Sequence, residues 1–151
     1  MPELRRDPVI GRWVIISTER AKRPTDFISP TAEMEPPEEC PFCEGKESST
    51  PPEIYAIREP GTRPNAQGWQ VRVVPSIKPI LGIEGELNRR AKGMYDVMNG
   101  IGAHEIIVED PRHVANIADL SVERIRQSLE ASVHRMVDLE HDPRFRYALW
   151  F

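Results

Sequence analysis

The stretch HEIIVEDPRHVANIADLSVERIRQSLEASVHRMVDLE, residues 104–140, changes its apolar period partway along and so reads as two elements of different kind. Glu105 to Glu109 is short and β-branched and stops at Asp110 and Pro111, which predicts a strand. Farther on, Val122, Ile125, Leu129, Val133, Met136 and Val137 recur at three- and four-residue steps. That spacing predicts a helix over 121–140, with Asp119 or Ser121 as N-cap and Asp142–Pro143 as its end.

Two further strands flank this unit toward the N-terminus. RWVIIS (12–17) is β-branched and bounded by Gly11 and the polar TERAKRP. In GWQVRVVPS (68–76), Trp69, Val71 and Val73 alternate with Gln70 and Arg72, so one buried face is expected before Pro75 ends the strand. Residues 24–39 are acidic and proline-rich and predict a loop, and 83–101 reads as irregular connection. The final RFRYALWF (144–151) alternates like a strand. It finishes on large apolar side chains where soluble chains usually end in polar, frayed residues, so the polypeptide is expected to continue beyond Phe151 in full-length relatives.

The 151 residues, 39% hydrophobic and 29% charged, suffice for one domain with a core of its own. Most of the fifteen prolines precede residue 80, which makes the first half loop-heavy. A net charge of −4 argues against nucleic-acid binding, which wants a basic surface. With no long apolar run and no secretory signal at the N-terminus, the sequence predicts a cytoplasmic protein without membrane contact.

Only two cysteines are present, Cys40 and Cys43, in EECPFCEG. A redox dithiol would want an electropositive setting, but Glu38, Glu39 and Glu44 surround the pair. Two packed free thiols are an alternative, although the polar loop offers little core. A metal knuckle fits best, because a bound zinc neutralises the thiolates and this spacing lets both sulfurs face one ion. Two thiolates are half of a tetrahedral site. Of the four histidines, His134 and His141 fall on or at the end of the helix, where structural roles are the plain expectation. His113 lies in the turn after the 105–109 strand, and His104 begins that strand. The cluster of Arg20, Lys22 and Arg23 reads as a solvated turn or as a phosphate clamp, since guanidinium forks match phosphate oxygens. No nucleotide-binding glycine loop, nucleophile elbow or cysteine–histidine pair with an oxyanion hole is present.

Taken together, DPVIGRWVIISTERAKRP, CPFCEG, GWQVRVVPS, GAHEIIVEDPRH with its following helix, and RYALWF resemble the N-terminal half of galactose-1-phosphate uridylyltransferases, of the histidine-triad superfamily. The resemblance implies an α+β fold: an antiparallel half-barrel sheet with a packed helix, histidine-triad-like and incomplete at the C-terminus. Residues 1–151 would be an N-terminal uridylyltransferase domain truncated before a His-Pro-His-x-Gln segment. Zinc would be held by Cys40, Cys43 and His113, with the fourth ligand, the first histidine of that segment, beyond Phe151. In such enzymes the second histidine attacks the α-phosphorus of UDP-glucose, forms a uridylyl-histidine, and passes the group to galactose 1-phosphate in galactose metabolism. No catalytic residue is therefore expected in this chain. The resemblance further implies a homodimer, with substrate contacts from Arg20, Ala21, Lys22 and Arg23 reaching across it and others from Ser76 and Ile77. Ser76 stands where the family commonly has asparagine, which puts nucleotide preference there in doubt. The alternatives are a related nucleotidyl transferase or phosphorylase, or a non-catalytic zinc and nucleotide-binding module in which dimerisation or His104 completes the metal site.

Overall fold

A computed structural model describes residues 2–17 and 36–151 of the chain. Among the described residues, seven strands and one long helix follow in the order β1 (Glu3–Arg6), β2 (Trp13–Ile16), β3 (Tyr55–Arg58), β4 (Trp69–Pro75), β5 (Arg90–Lys92), β6 (Tyr95–Asn99), β7 (Glu105–Val108) and α1 (Val122–Glu140). They form two antiparallel sheets, one in the order β2-β1-β6-β5 and one in the order β3-β4-β7, with α1 packed on the second. The expected α+β arrangement of antiparallel sheet and packed helix is thus present. Among the described residues, no helix is long and apolar enough to cross a membrane.

Strand β4 is the centre of the molecule. Val71 and Val73 are fully buried and pack with Ala131 of α1, joined by Tyr55, Ile57 and Ile107. Each such valine contributes about 1.5–3 kcal/mol through removal from water. The opposite face carries Arg72, which is 2% exposed and donates to Glu53 Oε2 at 3.1 Å and Thr50 Oγ1 at 2.8 Å. Residues 47–53 therefore lie over the face that α1 does not cover.

The simple alternation read from the sequence breaks at Gln70. Ile57 pairs with Val71, but the next residue, Arg58, pairs with Trp69, so β4 carries one extra residue there. Such a bulge reverses the facing of what precedes it. Gln70 accordingly meets Gln127 of α1 at 2.6 Å, and Trp69 turns to the loop face with Arg72.

The helix begins where expected, with the Ser121 hydroxyl accepting from Arg124 N at 3.2 Å. Its buried face is different from the predicted apolar stripe. Ser128, Ala131, Ser132 and Arg135 face inward, whereas Leu129, Val133 and Val137 are exposed. Small side chains let the helix axis approach the sheet closely, and Arg135 is satisfied by Glu105 at 2.8 and 2.9 Å. Residues 83–101, expected to be irregular, contain the β5–β6 hairpin. Residues 144–151, expected as a strand, lie in none, because alternation supplies two faces but no partner for the backbone.

Candidate functional site

Strand β7 delivers its C-terminal end beside the loop of 36–46. Asp110, two residues past that end, is almost wholly buried and shapes the turn. Its carboxylate accepts from Arg112 N and Nε, both at 2.9 Å, and pairs with Arg124 Nε of α1 at 3.2 Å. Burial pushes its pKa up, but these bonds outweigh that effect and hold it below the usual carboxylate value. The turn presents His113 to the knuckle. The Glu44 N–H donates to the Pro111 carbonyl at 2.9 Å, which joins the two loops through their backbones.

Three potential donors converge there. Cys43 Sγ lies 3.3 Å from His113 Nδ1, and the ligand atoms of Cys40, Cys43 and His113 are all within 4.8 Å of one another. Among the described residues these three form the only group of three or more metal-type donors. The second ring nitrogen, His113 Nε2, is buried without a protein partner. A cavity of about 340 Å³ adjoins the donors, lined also by Phe42, Ile106, Val108 and Asn116. Burial pushes the Cys43 thiol pKa up, and Cys40 and Glu38 push it the same way. A reactive dithiol needs the opposite shift, so the redox reading loses support. A cation would reverse this balance, because it stabilises both thiolates. Two sulfurs and an imidazole suit a borderline-soft ion such as zinc.

The remaining candidates sit elsewhere. Pro75 pairs with Glu105 and Arg72 with Val108, which places Ser76 and Ile77 at the opposite end of β4 from His113. Ser76 N donates to the His104 carbonyl at 2.9 Å, and Ile77 is exposed. His104 Nδ1 accepts from Ile80 N at 3.1 Å and is not part of the donor group, so the alternative in which His104 completes the metal site is not supported. His134 stacks on Tyr55 with centroids 4.1 Å apart, and His141 caps α1, as expected for structural histidines. Arg20, Ala21, Lys22 and Arg23 lie outside the described residues.

Two buried acids beside the donor group, Glu47 and Asp110, were not singled out by sequence as site residues. Each joins a local bond, Gly45 N to Glu47 and Arg112 N to Asp110, to a partner distant in the chain, Trp69 and Arg124 respectively. An acidic residue after a strand, followed by proline, marks a turn but not which side chains it gathers.

No protein-family model matches the chain. The ADP-glucose phosphorylase of Arabidopsis thaliana is 38% identical over 146 residues, covering 93% of this chain and 40% of that protein. A crystal structure of an Arabidopsis thaliana ADP-glucose phosphorylase with bound ADP-glucose superposes with a TM-score of 0.57 at 35% identity, over 97% of this chain and 41% of the other. A uridylyltransferase structure gives a TM-score of 0.60 at 25% identity, over 96% and 37%. The chain spans about 40% of the length of these relatives. The expected likeness to uridylyltransferases and related enzymes is present, in sequence to the phosphorylase and in fold to both, and the enzymes so related are of nucleotidyltransferase and phosphorylase type.

Proposed function

We propose that this chain is the first repeat of a nucleotidyl-transferring enzyme acting on a nucleotide sugar, with a structural zinc held by Cys40, Cys43 and His113. The observation that carries this reading is the meeting of Cys43 and His113, 70 positions apart, within 3.3 Å, in a chain related to ADP-glucose phosphorylase. When bound, zinc ties the knuckle to the β7 turn and neutralises the thiolates. The chain's own residues do the rest. Asp110 orients the His113 turn, and Arg20, Lys22 and Arg23 supply cationic contacts for the phosphates, with Ser76 and Ile77 against the nucleoside. None of the four histidines forms a His-x-His pair, so these residues bind and shape but do not supply the attacking imidazole.

ADP-glucose, with inorganic phosphate as acceptor, is favoured as the substrate pair because identity over the superposed structures is 35% to the phosphorylase and 25% to the uridylyltransferase. UDP-glucose with galactose 1-phosphate is the second reading, supported by the shared fold with the uridylyltransferase. Calorimetric titration of the zinc-loaded chain with each nucleotide sugar separates them. Tighter binding of ADP-glucose supports the first reading, tighter binding of UDP-glucose replaces it with the second, and binding of neither refutes a donor-binding role for these residues.

A further inference from the structure

Glu47 opens the short 3-10 turn four residues after Cys43 and is 9% exposed. A buried carboxylate is costly unless it is bonded, and this one is. One oxygen, Oε1, accepts both from the indole Nε1–H of Trp69 at 2.8 Å and from the Gly45 N–H at 3.1 Å. Gly45 lies two residues after Cys43 and has φ +91°, a conformation in which a side chain would be strained. Trp69 is 2% exposed and meets Glu47 only because the Gln70 bulge turns it toward the loop. A single oxygen thus bridges the central strand of the sheet to the backbone that follows Cys43. That strand pairs with β7, which presents His113, so both halves of the donor set are referred to one sheet.

We propose that Glu47 is a positioning residue for the Cys40–Cys43–His113 centre, fixing the Cys43 turn against Trp69 so that sulfur and imidazole stay within reach of one ion. The proposal rests on the reading of these three side chains as metal donors. Groups bonded directly to the ligands alter metal affinity by about 10- to 100-fold when removed, and Glu47, which acts through the backbone at Gly45, is expected at the low end of that range. Glu47 also links to the second anchor of the same loop, since its carbonyl accepts from the Thr50 hydroxyl at 3.2 Å.

The test is the zinc affinity of the 151-residue chain, measured by competition with a chromophoric chelator, with cobalt(II) substitution to read thiolate coordination. Glu47→Ala is expected to weaken zinc by about tenfold or more and to diminish the sulfur-to-cobalt charge-transfer band. Glu47→Gln, whose amide oxygen can accept from the same two donors, is expected to restore most of the affinity. Trp69→Phe, which keeps the ring and removes the donor, is expected to weaken zinc although Glu47 is intact, and it carries the test if Glu47→Ala fails to fold. Val97→Ala, in the other sheet, is the stability control and is expected to lower the melting temperature with zinc affinity unchanged. Wild-type affinity in both Glu47→Ala and Trp69→Phe, or an equal loss in Val97→Ala, overturns the positioning role. Failure of the wild-type chain to bind zinc at all is a different result: it overturns the metal reading, and the positioning role with it.

Discussion

Glu53→Gln should unfold the chain far more readily than its conservative shape suggests. The Glu53 carboxylate is 6% exposed and serves two guanidiniums: Arg58 Nη2 at 2.9 and 2.8 Å, and Arg72 Nε at 3.1 Å. Arg72 is 2% exposed on its side chain and has no route to water. Neutralising the acid leaves that charge with only the Thr50 hydroxyl at 2.8 Å and the Glu47 carbonyl at 3.4 Å. Stripping one partner from a buried pair costs about 3–5 kcal/mol. Because the glutamine oxygen can still accept one bond and Arg58 is partly solvated, the low end applies, about 3 kcal/mol. For a chain of this size, that lowers the melting temperature by roughly 6–12 °C. Arg72→Met tests the logic from the other side. It removes the buried charge and leaves Glu53 bonded to Arg58, so its cost should be smaller, about 1–2 kcal/mol. Urea unfolding followed by far-ultraviolet circular dichroism, in chelator so that metal does not contribute, measures both. A Glu53→Gln cost below about 1 kcal/mol, the range of an exposed pair, would refute the reasoning, as would an equal or greater cost for Arg72→Met.

Ser121→Ala should cost about 1 kcal/mol in the same unfolding assay, because it removes the oxygen that accepts from Arg124 N at the start of α1. Gly68→Ala should be strongly destabilising, since at φ +87° the added methyl would sit 2.4 Å from Thr62 Cγ2; a melting temperature within a degree of wild type would contradict this. The Arg144 guanidinium holds the Asp142 carboxyl at a pKa of about 2. A lowered folded-state pKa means that this contact's contribution to stability is present above the unfolded value of about 3.9 and fades as pH falls toward 2. Carboxyl nuclear magnetic resonance titration should show Asp142 shifting only below about pH 3, and Arg144→Gln should move it upward but not fully to the ordinary aspartate range, because the bond from the residue 144 N–H remains.

Strands β2, β4 and β7 were legible because β-branched residues cluster between turn formers, and α1 because its spacing and caps agree. Strands β1 and β3 and the β5–β6 hairpin were not: ELRR, YAIR and RAK are three or four residues long, and their arginines and lysine break the run of apolar residues that marks a strand. The face of α1 was misread because spacing reports where apolar residues recur, while packing against β4 favoured Ser128, Ala131 and Ser132, whose small size permits close approach. The Gln70 bulge left no sequence mark, yet it decides where Trp69 points. For the site, donor chemistry made Cys40, Cys43 and His113 visible in advance. The carboxylates beside them, Glu47 and Asp110, are ordinary acids in sequence, and their long-range partners, Trp69 and Arg124, appear only in the fold.

The central claim is that loops separated by 70 positions jointly hold one zinc ion, and zinc-edge X-ray absorption on the metal-loaded chain addresses it directly. The account predicts two sulfur neighbours at about 2.3 Å together with nitrogen at about 2.0–2.1 Å, and loss of the nitrogen contribution from imidazole in His113→Ala. A first shell of nitrogen and oxygen alone, or an imidazole signal undiminished by His113→Ala, would contradict it.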